Sequence, residues 1–108
     1  MPAPASTSID NLYAALTRPN DALANSQLGM NYFYLGKLDL AQRYLTAAKR
    51  LDPAHFLHPQ LMLAEIALRR HDRTVAAGEL EEFLRYHPDA PEAGKIKEKL
   101  AQLRAPSF

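Results

Sequence analysis

The chain has 108 residues, an apolar fraction of 47%, 13 basic against 12 acidic side chains, and no cysteine. That length fits one domain, and the apolar share with few glycines fits a helical globular or repeat protein rather than a disordered chain. A formal charge of +1 disfavours nucleic acid or an anionic membrane as a bulk partner, and the lack of cysteine excludes disulfides and thiolate metal sites while leaving the compartment open.

The first eight residues, Met-Pro-Ala-Pro-Ala-Ser-Thr-Ser, have neither the basic start nor the apolar centre of a signal peptide. Residues 1–7 read as a flexible linker, which fits a piece of a longer protein as well as a complete chain. Purely apolar runs are only a few residues long, so no transmembrane helix is expected. From about Ser8 to Thr17, Ile9, Leu12, Tyr13 and Leu16 recur at helical spacing. Arg18-Pro19-Asn20-Asp21 then breaks the chain.

A helix is predicted from about Ala22 to Leu35, ended by Gly36, because glycine enters the left-handed region without a side-chain penalty. The next covers about Leu38–Leu51 and closes at Asp52-Pro53. A further helix spans about His58–Arg70, with His71-Asp72 in the turn. Asp72 caps a helix running to about Tyr86, which His87-Pro88 terminates. Asp89-Ala90-Pro91-Glu92 has the form of a capping box for a last helix, Pro91 to Arg104. That helix places Ile96, Leu100 and Leu103 on one face and Lys95, Lys97, Lys99 and Glu98 on the wet one. Residues 105–108 form a tail, and no segment alternates as a strand.

These helices repeat at an offset of 35 residues. Leu28, Gly29, Ala41, Leu45, Ala48 and Pro53 correspond to Leu63, Ala64, Ala76, Leu80, Phe83 and Pro88. Pro19 lies 34 residues before Pro53. A period of this length in helix-compatible residues indicates stacked helical hairpins. Closely packed helices need small residues where they cross. A helical glycine costs about 1 kcal/mol against alanine, so at Gly29 a larger side chain is expected to clash. Leu28, Tyr32, Leu45 and Leu51 are the expected filling of the first hairpin, and Leu63, Leu80, Phe83 and Leu84 that of the second.

The stretch Leu28-Gly29-Met30-Asn31-Tyr32, Gly36, Ala41, Tyr44-Leu45, Ala48, Leu51-Asp52-Pro53 resembles a tetratricopeptide repeat (TPR). The second copy, Leu63-Ala64, Ala67, Ala76, Leu80, Phe83, Tyr86-His87-Pro88, is similar but looser. It has His71 for the turn glycine and Phe83 where the family prefers alanine. The bulky aromatic usual near the start of the first helix is replaced by Asn25 and Gln60. The resemblance implies an all-α fold: antiparallel helical hairpins stacked as a short right-handed solenoid, over residues 8–104. It would comprise a partial repeat (8–19), two repeats (21–54 and 56–89) and a capping helix (91–104).

The resemblance further implies a concave groove lined by the first helix of each hairpin. The groove positions carry Leu23, Ser26, Gln27, Met30, Phe33 and Tyr34, then Leu61, Glu65, Leu68 and Arg69. Methionine and aromatic side chains suit adaptable peptide contacts, and Glu65 with Arg69 would orient a polar ligand. The competing structural reading makes Met30 and Phe33 core and Glu65–Arg69 an exposed i,i+4 pair. Some TPR proteins clamp a C-terminal carboxylate with lysine, arginine and asparagine. Ser26, Met30, Leu61 and Glu65 stand at the matching positions, so that clamp is absent.

His55 and His58 stand three apart, but a stable zinc site needs four ligands, and loop histidines are the better reading. Glu79, Glu81 and Glu82 read as a solvated patch without the burial that makes carboxylates catalytic. There is no nucleophile turn and no glycine-rich phosphate loop. The expectation is a non-catalytic protein–protein interaction module without cofactor or metal, holding a partner peptide or helix in its groove. The alternatives are a self-assembling structural unit, possible through uncovered end helices carrying Ile9, Leu12 and Leu16, and an accessory TPR domain of a larger protein.

Overall fold

The computed structural model describes residues 16–106, and among them the regular structure is entirely helical. The helices are α1 (Ala22–Tyr34), α2 (Leu38–Leu51), α3 (Pro59–Arg69), α4 (Arg73–Tyr86) and α5 (Ala93–Arg104). The expected helix over Ser8–Thr17 lies almost wholly outside the described residues. The chain divides into two compact units at the Pro59–Gln60 bond.

In the first unit, Asp21 starts α1. Its carboxylate accepts from the Ala24 amide at 3.1 Å, satisfying one of the donors that a helix start leaves open. Asn25, buried one turn later, donates through Nδ2 to the carbonyls of Pro19 (3.2 Å) and Asp21 (2.9 Å). The amide thus fastens the preceding turn, where a bulky aromatic would only fill space. At the other end Gly36 sits at φ +77°. Its amide donates to the Phe33 carbonyl and that of Lys37 to the Tyr32 carbonyl, the double closure of a Schellman motif. Two residues later α2 begins.

The core of this hairpin is Ala24, Leu28, Phe33, Ala41, Leu45 and Ala48. Gly29 is the point of closest approach: a Cβ there would lie 2.6 Å from Leu45 Cγ. Tyr32 is half-buried and stacks on Tyr44 with ring centroids 5.8 Å apart. Leu51 corrects the expected core: it is 41% exposed. It stands in the last residue of α2, beyond the stretch facing Gly29, where the chain has already begun to leave the hairpin.

The second unit repeats this local chemistry with other residues. His71 takes the place of Gly36 and sits at φ +58°. Its amide donates to Leu68 and that of Asp72 to Ala67, so the same closure forms without glycine. Asp72 then caps α4, accepting from the Val75 amide at 3.1 Å. The left-handed region costs a non-glycine residue about 1–2 kcal/mol. His71→Gly is therefore expected to stabilise by about 0.5–1 kcal/mol, reduced by the entropy glycine adds to the unfolded chain. Gly36→Ala is expected to destabilise by about 1 kcal/mol. Urea unfolding of both variants checks the pair, and opposite signs are the predicted signature.

Gln60, fully buried, donates through Nε2 to Glu82 Oε1 at 3.3 Å. This ties the start of α3 to the end of α4, as antiparallel helices require. Leu63, Ala64, Ile66, Ala67, Ala76, Ala77, Leu80, Phe83 and Ala93 are the buried apolar residues of this unit. Leu84 is half-buried, as are Ile96, Leu100 and Leu103 on one face of α5. The Arg73 guanidinium holds α5 against α4, donating to the carbonyls of Gln102 and Leu103, each at 2.9 Å. Arg104 pairs with Glu81.

Two expectations fail here. The capping box does not form: α5 starts at Ala93, and Glu92 is an N-cap without a side-chain bond. Backbone turns take the donors instead, Ala90 to His87 and Ala93 to Ala90. Pro91, lacking an amide and disfavouring helix at Ala90, falls in those turns rather than in the helix. The glutamates on α4 form a partly covered patch rather than a fully solvated one. Glu79, Glu81 and Glu82 are half-buried, with Glu81 and Glu82 engaged by Arg104 and Gln60.

Candidate functional site

On α1, Leu23, Gln27, Met30 and Tyr34 follow one another at spacings of four, three and four, which is one face of a helix. Leu23 is exposed, Gln27 and Met30 are half-buried, and Tyr34 is 73% exposed. Phe33 holds the Tyr34 ring edge-on at 5.4 Å. The Tyr34 ring, at one end of this face, therefore rests against a buried aromatic.

Ser26 and Phe33, expected on the same surface, are buried instead. Both lie on the edge of the α1 stripe that turns inward. Ser26 Oγ has no hydrogen-bond partner among the described residues. An unsatisfied buried hydroxyl costs about 1–3 kcal/mol, and serine is a poorer helix former than alanine. Ser26→Ala is expected to raise the unfolding free energy by about 1 kcal/mol, read as a higher urea midpoint at constant m.

In the second unit, α3 carries Leu61 and Leu68, both half-buried, and Glu65 and Arg69, both exposed. Arg69 Nε donates to Glu65 Oε1 at 3.4 Å, with each side chain about half exposed. At that exposure the pair is worth a few tenths of a kcal/mol at most. The structure thus groups Leu23, Gln27, Met30 and Tyr34 on one unit, and Leu61, Glu65, Leu68 and Arg69 on the other.

No family model matches this chain, and no curated protein shows significant similarity to it.

Sequence reasoning passed over several features. Leu35, beside Tyr34, is 61% exposed; it reads as the last turn of a helix but falls in the cap, outside the packed stripe. Between α4 and α5 lies a cleft of about 350 Å³ lined by Arg73, Thr74, Ala77, Gly78, Leu103 and Arg104. Its one sequence signal is Gly78, a glycine inside a helix where an added Cβ would meet nothing within 4 Å. Among the described residues no three histidines, aspartates or glutamates gather as metal ligands, and no helix is long and apolar enough to cross a membrane. His55 has local work: its Nδ1 accepts from the Leu57 amide at 3.1 Å.

Proposed function

We propose that the chain is a non-catalytic interaction module of tetratricopeptide type that holds a peptide or helix of a partner protein. The observation that carries this reading is the α1 face of Leu23, Gln27, Met30 and Tyr34, with exposed apolar and aromatic side chains on a helix whose other side is packed. Tyrosine and methionine contribute large contact area, and a packed helix presents them at low entropic cost. Glu65 and Arg69 on α3 supply a polar contact that would select among ligands.

The test is affinity capture from source-cell lysate with wild type and a Met30→Glu/Tyr34→Glu variant of equal helicity by circular dichroism. A protein retained by wild type, lost by the variant and bound by purified wild type in titration calorimetry supports the module and its face. Equal capture by both baits removes α1 from the binding surface.

One observation favours self-assembly as a second reading: Leu16, in the first described turn, is 70% exposed. In that case mass measured by sedimentation rises with concentration, and Leu16→Glu abolishes the rise.

A further inference from the structure

Among the described helices α1 alone contains no Asp, Glu, Lys, Arg or His; each of the others carries at least two. Its outward stripe, Leu23, Gln27, Met30 and Tyr34, is spaced four, three and four residues apart. Alternating intervals of three and four are those of a seam between two helices, because they hold side chains along one line of a helix. The stripe rises about 16 Å along the axis. Just past it Leu35 adds a further exposed apolar side chain. The spacing therefore suits another helix lying along α1.

The chemistry of the stripe narrows which helix that is. In a two-fold contact the same surface meets itself, so a charge on it lies close to its own like. The charge-free α1 escapes that repulsion, and the other helices do not. A charged partner would find no ion to pair with on this stripe and would lose hydration there. Gln27, near the middle of the stripe, carries an amide that both donates and accepts. Such a group is complementary to its own counterpart, as single polar amides are in coiled-coil seams.

We propose that the chain associates with a second copy of itself through α1, the two helices antiparallel and their stripes in contact. The proposal rests on the reading of α1 as a binding face and names what covers it. The direction follows from the charges at the two ends. Asp21, just before α1, is paired with Arg18 at 3.5 Å, which compensates the helix start. Lys37, three residues past Tyr34, is exposed. Antiparallel packing keeps the two copies of Lys37 at opposite ends of the contact and opposes the helix dipoles. Parallel packing would set lysine beside lysine. Four stripe residues from each copy make a small contact, at the weak end of specific interfaces. The pair therefore forms and separates with concentration.

Sedimentation equilibrium on the full chain, from micromolar to millimolar concentration, reads the association directly. The average mass is expected to climb from 12.1 kDa towards twice that value. Gln27→Glu and Gln27→Lys, each checked for helicity by circular dichroism, bring like charges together near the two-fold axis. Each should weaken the pair at least tenfold, the effect of about 1.4 kcal/mol. Mixed one to one, they bring opposite charges together and should recover most of the loss. Leu16→Glu should leave the association constant unchanged, which separates this contact from one through the first described turn. A wild type that stays at 12.1 kDa throughout overturns the proposal. So do charged variants that associate like the parent, or a mixture no tighter than its components. Should a Gln27 variant not fold, Tyr34→Glu and Leu23→Lys replace the two, at exposed positions that meet in an antiparallel pair. Failure of self-association leaves the affinity capture with Met30→Glu/Tyr34→Glu as the separate test of a different protein on the same face.

Discussion

Gly29→Leu is expected to lower the unfolding free energy by about 3 kcal/mol, the upper end of the usual cost of inserted core volume. The first carbon of the new side chain already has no room. It would lie 2.6 Å from Leu45 Cγ, 2.9 Å from Leu45 Cδ2 and 3.1 Å from the Leu45 backbone nitrogen. Cγ is a branch point in a buried side chain, so it cannot swing aside as a flexible chain end would. Relieving the contact with the nitrogen requires α2 itself to shift. Gly29→Ala tests the same contact with less volume. Alanine gains about 1 kcal/mol of helix propensity over glycine, yet the clash should win and leave a net loss of about 1 kcal/mol. Leu45→Ala alone should cost about 2–5 kcal/mol. The Gly29→Ala/Leu45→Ala pair should cost less than the two losses added, because the second change removes the atoms the first one meets. A coupling of about 1 kcal/mol is expected, measured by urea denaturation of all four chains. If Gly29→Leu unfolds like the parent, the pairing of α1 with α2 is not the one described.

The hairpin registers were legible because they rest on local rules. Gly36 and Asp72 punctuate by backbone conformation and by a short carboxylate, and the sequence places both at the turns where they act. Leu38–Leu51 and Arg73–Tyr86 follow directly from those signals. The side of each helix facing its partner was legible too, since Leu28, Leu45, Leu63, Leu80 and Phe83 recur with the period and are buried. Illegible were the consequences of competition. At the start of α5 the Asp89–Glu92 pattern offers a side-chain cap, but backbone turns from His87 onward satisfy the amides first. His71 has no glycine signal, yet adopts the left-handed turn because two backbone bonds close there.

The candidate face shows the same division. Helical spacing puts Ser26 and Phe33 beside Met30, and no rule of spacing tells which edge of such a stripe turns inward. Asn25 and Gln60 are the more instructive pair. As sequence they are departures from a repeat pattern, and polar residues are poor predictions for a core. In the structure both are buried amides with work to do: Asn25 fastens the turn before α1, and Gln60 reaches across to Glu82. A buried polar group must find partners or pay in desolvation, so their shared register position points to a common demand for a tie at the start of each hairpin.

Phe83→Ala is expected to cost about 3–5 kcal/mol, the range for emptying an aromatic site in a core. Ala48 stands 35 residues earlier, and both side chains are completely buried. The same register position therefore accepts a methyl group in one unit and a phenyl ring in the other, so the two interiors differ in the volume they must fill there. The ring also lies 5.2 Å from that of His87, the residue that ends α4. Emptying the site removes core contact and one wall of the helix terminus together. With total stabilities of small domains near 5–15 kcal/mol, such a loss should lower the urea midpoint sharply while m holds constant. Phe83→Leu retains most of the volume and should cost less than about 1.5 kcal/mol, which separates loss of volume from loss of the ring. A small effect of Phe83→Ala, below about 1 kcal/mol, would mean that the surrounding core closes over the gap. In that event the looser second copy differs from the first by tolerance rather than by need, and its aromatic would carry no share of the packing.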